Sequence, residues 1–144
     1  MSIARVYLAP YSVPLAEPWP SAEGPVTTRN GWLLGLENER GIVGWGESAP
    51  WPGFGLESHA SSGAALRLCS KFLIGIPSAA YTMAAGDLPR LAPTAACPAA
   101  RHAIDLALHD LAAREAGVSI ARLLGGDDAL QVVRANATLP RLVL

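Results

Sequence analysis

A chain of 144 residues, 51% of them hydrophobic and 16% charged, is long enough to close one core and too apolar to stay disordered. Its formal charge of −1 at pH 7 gives no electrostatic attraction to nucleic acid or to an anionic membrane surface. No window approaches the roughly 20 consecutive apolar residues a membrane span needs, and no basic leader with an apolar run opens the chain, so a soluble, cytoplasmic protein is expected.

Residues 3–11 alternate loosely and read as a strand. Pro10, Pro14, Pro18, Pro20 and Pro25 follow. Each lacks an amide proton, so residues 15–28 read as an irregular loop carrying Trp19. The alternation returns at Arg29, with Trp32, Leu34 and Leu36 on one face and Leu33 and Gly35 on the other. Asn38–Gly41 is a turn whose glycine tolerates positive φ, and residues 42–47 run back as a partner strand. A three-stranded antiparallel meander results.

Residues 49–55 form a second irregular loop holding Trp51 and Phe54. Residues 57–73 turn helical, with Ala60, Ala64, Leu68 and Phe72 spaced by four, and a short helix is expected near 79–85. A long helix opens at Pro98, where a missing amide costs nothing. Its stripe is Ala100, Ala103, Ile104, Ala107, Leu108 and Leu111, and Gly117 stops it in a left-handed cap. Residues 119–124 add another turn or two before Gly125 and Gly126, and residues 131–139 read as a last strand. The order is that of an α+β domain, meander first and helices after, followed by an orphan strand.

Several side chains admit both a chemical and a structural reading. His102, Asp105 and His109 share one side of the long helix and could hold a metal; that side lies away from the apolar stripe, so a solvated polar face accounts for them and is the preferred reading. Glu47 ends a strand, where it could act in catalysis or serve as an acceptor for loop amides or an arginine. Trp19, Trp51 and Phe54 either fill the core or line a pocket between proline-rich loops. Arg101 is an exposed cation or half of an ion pair. Cys69 and Cys97 read as buried thiols rather than a disulfide framework. The basic residues are ten arginines and one lysine, Lys71, which excludes any two-lysine mechanism within these residues.

Three stretches carry a resemblance. The hairpin end Gly44-Trp45-Gly46-Glu47-Ser48-Ala49-Pro50, the helix Pro98–Ala113 and the stop Leu123-Leu124-Gly125-Gly126 resemble, in order and spacing, the N-terminal capping domain of the enolase superfamily. Within it they resemble the muconate-lactonizing subgroup of cycloisomerases, dipeptide epimerases, racemases and o-succinylbenzoate synthases. The run Trp51-Pro52-Gly53-Phe54-Gly55-Leu56-Glu57 is most similar to the synthases.

The resemblance implies a cap over residues 1–126, then a linker and first barrel strand over 127–144. The cap would lend two loops to a (β/α)8 barrel, with Pro18, Trp19, Trp51, Phe54 and Gly55 lining or closing the pocket and Thr138 near the substrate end of the barrel strand. It implies a small carboxylate substrate, a proton removed beside that carboxylate, and Mg2+ on the resulting enediolate, held by the barrel. The Lys-x-Lys pair, acidic metal ligands and opposing lysine of that barrel match no position here. A barrel of about 250 residues does not fit after Gly126, so these residues are expected to bind no metal and not to be catalytic alone. The alternative of another class is a stand-alone module binding a partner, or a homo-oligomer, through the barrel-facing surface.

Overall fold

The computed structural model describes residues 1–51, 53, 55–79, 93–130 and 132–135. Three strands, β1 (Ile3–Ser21), β2 (Gly24–Asn38) and β3 (Val43–Ser48), form one antiparallel sheet in the order β1-β2-β3. The α+β meander expected from the alternation is therefore present.

Its first hairpin is much longer than the prolines suggest. Residues 15–28 are the far end of β1 and β2, with Trp19 opposite Val26 and Pro20 opposite Pro25, rather than an irregular loop. The physical reason is position: β1 is an edge strand, and every second amide on an edge has no partner to lose. Pro10 and Pro14 share that parity. A register shift between Pro14 and Trp19 absorbs the remaining disruption, and Gly24, at φ 113°, closes the tip.

Pairing across the sheet sorts the side chains by face. Leu34 and Leu36 lie fully buried on the inner face, opposite Gly46 and Gly44 of β3. Those glycines let helix α2 (Pro98–Ala116) lie directly on the strand. A Cβ on Gly46 would stand 1.9 Å from the Ala103 carbonyl oxygen, and one on Gly44 2.3 Å from the Leu111 amide nitrogen. The predicted stripe from Ala100 to Leu111 is buried throughout. Pro98 and Gly117 (φ 68°) bound the helix as expected. Asp110 fastens it to the sheet: one carboxylate oxygen accepts from the Trp45 amide and from Arg114 Nε, each at 2.8 Å.

Helix α1 (His59–Leu73) begins at Ser58, whose hydroxyl accepts from the Ser61 amide at 3.1 Å. Its core face is not the stripe of Ala60, Ala64, Leu68 and Phe72, all of which are exposed. Ser62, Gly63, Ala65, Leu66, Cys69 and Leu73 are buried instead. The Trp32 ring decides this, because it lies where a side chain on Gly63 would be, 2.3 Å from such a Cβ. Ser48 and Ser62 satisfy each other at 2.6 Å beneath it.

Helix α3 (Ile120–Gly125) follows, capped by Ser119, and a 3-10 turn spans Gly126–Asp128. Residues 132–135 are exposed and pair with neither sheet edge; the rest of the strand expected over 131–139 lies outside the described residues. So does nearly all of the helix expected near 79–85. Among the described residues no helix is long and apolar enough to cross a membrane.

Candidate functional site

The tip of the β1–β2 hairpin and the segment after β3 meet at one end of the sheet. Arg29, inside β2, makes the junction. Its guanidinium donates to the Pro50 carbonyl at 3.0 Å and to the Ala49 carbonyl, and its carbon sits 4.7 Å from the centroid of the Trp51 ring. Around this post lies an open groove of about 600 Å³ lined by Leu15, Trp19, Pro20, Ser21, Ala22, Arg29 and Trp51. A second hollow, sharing Ser21, Arg29 and Trp51 with the first, runs past Glu23, Thr28, Asn30 and His59.

The two proline-rich segments singled out in the sequence are thus brought together, and two of their residues, Trp19 and Trp51, share one groove. Trp19 is 47% exposed, too open for a core residue. Pro18 stands exposed next to it, outside the groove lining. Gly55 is exposed at φ 73°, where its contribution is the turn. Phe54 and Thr138 lie outside the described residues. Sequence reasoning missed Arg29, because its partners are backbone carbonyls with no sequence signature. Glu23 falls in the stretch that reads as an irregular loop, with no signal of its own. Its carboxylate rests against the second segment, 2.7 Å from where a Cβ on Gly53 would be.

The remaining candidates resolve structurally. Glu47 accepts a hydrogen bond from the Tyr11 hydroxyl, and among the described residues no loop amide or arginine bonds to it. Burial, then the bond to Glu47 and its charge, push the Tyr11 phenol up to about 12. Glu57 accepts from the Ala100 amide at 3.0 Å and puts a negative charge at the start of α2, where Cys97 offers no side-chain cap. Arg101 makes no ion pair among the described residues, and its Nε is buried without a partner.

His109 Nδ1 lies 2.8 Å from the Asp105 carbonyl oxygen; that nitrogen therefore carries a proton and cannot ligate a metal. Among the described residues no group of three or more His, Cys, Asp or Glu could hold a metal ion. These residues do not fit Mg2+. Around the groove the geometry gathers two indoles, a pinned cation and a carboxylate, and among the described residues lining it no nucleophile and base are in contact.

A meander with helices on one face, its long hairpin tip and the segment after β3 gathered over an open groove, defines a capping domain, a module that shapes one side of a pocket. The match to a family is direct. Residues 3–125 fit the model for the mandelate racemase/muconate lactonizing enzyme N-terminal domain, and the chain belongs to that family, within the enolase superfamily.

Three relatives illustrate its range. A hydrophobic dipeptide epimerase from Enterococcus faecalis is 28% identical over 128 residues, 89% of this chain and 36% of the relative. The crystal structure of a dipeptide epimerase from Enterococcus faecalis, complexed with Mg and the dipeptide L-Leu-L-Tyr, superposes with a TM-score of 0.78 at 28% identity, over 88% of this chain and 35% of that one. An L-Ala-D/L-Glu epimerase from Escherichia coli is 35% identical over 112 residues, 78% of this chain and 32% of the relative. An o-succinylbenzoate synthase from Thermosynechococcus vestitus is 50% identical over 48 residues, 33% of this chain and 15% of the relative. The chain spans about a third or less of the length of these relatives.

Proposed function

We propose that this chain is the substrate-facing cap of an enzyme that removes the proton beside a carboxylate, and that its substrates are dipeptides. The convergence of Trp19 and Trp51 on one groove carries the reading: two separate segments lend apolar rings to an open surface that a folded core would otherwise bury. The epimerase relatives support the dipeptide class, since their similarity runs along most of the chain.

The cap's part in such a reaction is to grip the end of the substrate remote from the reacting carbon and to keep water out. Binding energy gained there holds the reacting end in place for chemistry done elsewhere. Arg29 serves this by fixing Trp51 and the backbone of residues 49–50 against β2. A second reading, o-succinylbenzoate synthesis, is favoured by the denser identity over 48 residues and by the wording of residues 51–57.

Grafting residues 1–126 onto the barrel of the Enterococcus faecalis epimerase tests the proposal. The folded chimera should exchange the α-proton of dipeptides for deuterium in D2O, followed by NMR, only when Mg2+ is added. A folded chimera that leaves dipeptides untouched overturns it, and turnover of the o-succinylbenzoate precursor alone moves the protein to the second reading.

A further inference from the structure

The charges around the groove are unequal in what they have left to give. Arg29 is spent: its terminal nitrogens donate to the Ala49 and Pro50 carbonyls, and one face of its guanidinium lies on Trp51. Glu23 is unspent. Its amide is satisfied by Ser21 Oγ at 3.3 Å, but among the described residues its carboxylate has neither a hydrogen bond nor an ion pair, and it lines the hollow beside Trp51. A carboxylate and a half-buried indole lining the same hollow can hold ammonium and guanidinium groups, by charge-assisted hydrogen bonds to the one and contact with the edge of the other.

We infer that the hollow between Glu23 and Trp51 is a subsite for a positively charged group of the ligand, with Glu23 setting the preference. The inference rests on the reading that the hairpin tip and residues 49–53 face the substrate, and it deepens that reading by naming a cationic side chain as the part of the substrate they meet. An anionic end is disfavoured, because among the described residues the cation lining the hollow, Arg29, already has its partners and the free charge is negative. Gly53 leaves room for the Glu23 carboxylate at that spot, and a side chain there would displace it.

The probes are three dipeptides, L-Ala-L-Arg, its uncharged near-isostere L-Ala-L-citrulline, and L-Ala-L-Glu. They are titrated into the 144-residue chain while the indole N–H signals of Trp19 and Trp51 are followed by NMR. The arginine dipeptide should move those signals and bind about tenfold more tightly than the citrulline dipeptide, with the glutamate dipeptide weakest. Glu23→Gln, an exposed turn substitution, should erase the difference between arginine and citrulline while circular dichroism stays unchanged. Equal binding of arginine and citrulline, preference for glutamate, or no shift with any probe overturns the subsite. The chimera assay separates this from the proposed activity. Cation preference without turnover sinks the activity and leaves the subsite, whereas turnover with no charge preference sinks the subsite alone.

Discussion

The Tyr11 hydroxyl donates to the Glu47 carboxylate across the outer face of the sheet, and the Tyr11 ring lies in the space that a side chain on Gly31 would fill. A residue at the end of β3 is thereby tied to β1 over the intervening β2, although the two outer strands share no ladder. The bond braces the hairpin near the point where it extends toward the groove.

That bond gives stability a dependence on alkaline pH. The folded phenol loses its proton at about 12, above the ~10 of an unfolded tyrosine, so the native chain holds the proton more tightly. The stabilisation is intact below pH ~10 and is lost as pH climbs toward 12. Tyr11→Phe should cost about 1 kcal/mol at pH 7 and flatten the fall in stability between pH 10 and 12, as read by urea melts across that range. An unchanged slope in the variant would assign the fall to other groups.

The glycines of β3 are there for the helix. Gly46→Ala puts a methyl group 1.9 Å from the Ala103 carbonyl oxygen, and backbone on both sides leaves nothing flexible to yield. A loss of at least about 3 kcal/mol is expected, seen as a drop in melting temperature of roughly 10 °C or as failure to fold. Gly41→Ala meets nothing within 4 Å but sits at φ 78°, so it should cost no more than about 1–2 kcal/mol.

Helix α1 offers a contrast between neighbours. Leu66 is fully buried and Leu68 is 52% exposed. Leu66→Ala should cost about 3 kcal/mol, while Leu68→Ala should stay within about 0.5 kcal/mol. Denaturant midpoints of the two variants decide it, and equal losses would return the core face to the Ala60–Phe72 stripe.

That helix also marks where the sequence stops being legible. The core half of strand β2 and helix α2 could be read because their apolar residues are large and strictly spaced: Leu34 and Leu36 at period two, Ile104, Leu108 and Leu111 at three and four. In α1 the small residues Ser62 and Gly63 go inward because Trp32 needs the space, a demand made by a different strand. The prolines of β1 looked like breakers for the same reason, since only the strand order reveals that β1 is an edge. At the groove, Trp19 and Trp51 stood out as aromatics stranded among prolines. Arg29 did not, because it acts on main-chain oxygens.

Cys69 and Cys97 are both buried, and burial pushes both thiols up, with each other's charge adding at Cys69 and Glu57 adding at Cys97. Thiolate is the reactive form, so both should resist a thiol reagent at pH 8 and react together only when denaturant opens the core. Fast labelling of either in the native chain would mean that α1 and the start of α2 separate without global unfolding.

Arg29→Lys retains the charge and removes the fork. A lysine has one nitrogen to offer two carbonyls and no planar face for Trp51. The segment from Ala49 to Trp51 should then come loose from β2 while the core, which Arg29 does not touch, keeps its stability. Hydrogen exchange should quicken at Trp51 and Gly53 by about tenfold or more, with global stability lowered by less than about 1 kcal/mol. Trp51 fluorescence should shift to the red as its ring gains water. Unchanged exchange in residues 49–53 would show that the segment holds its place by its own turns, and that Arg29 is free to meet a ligand.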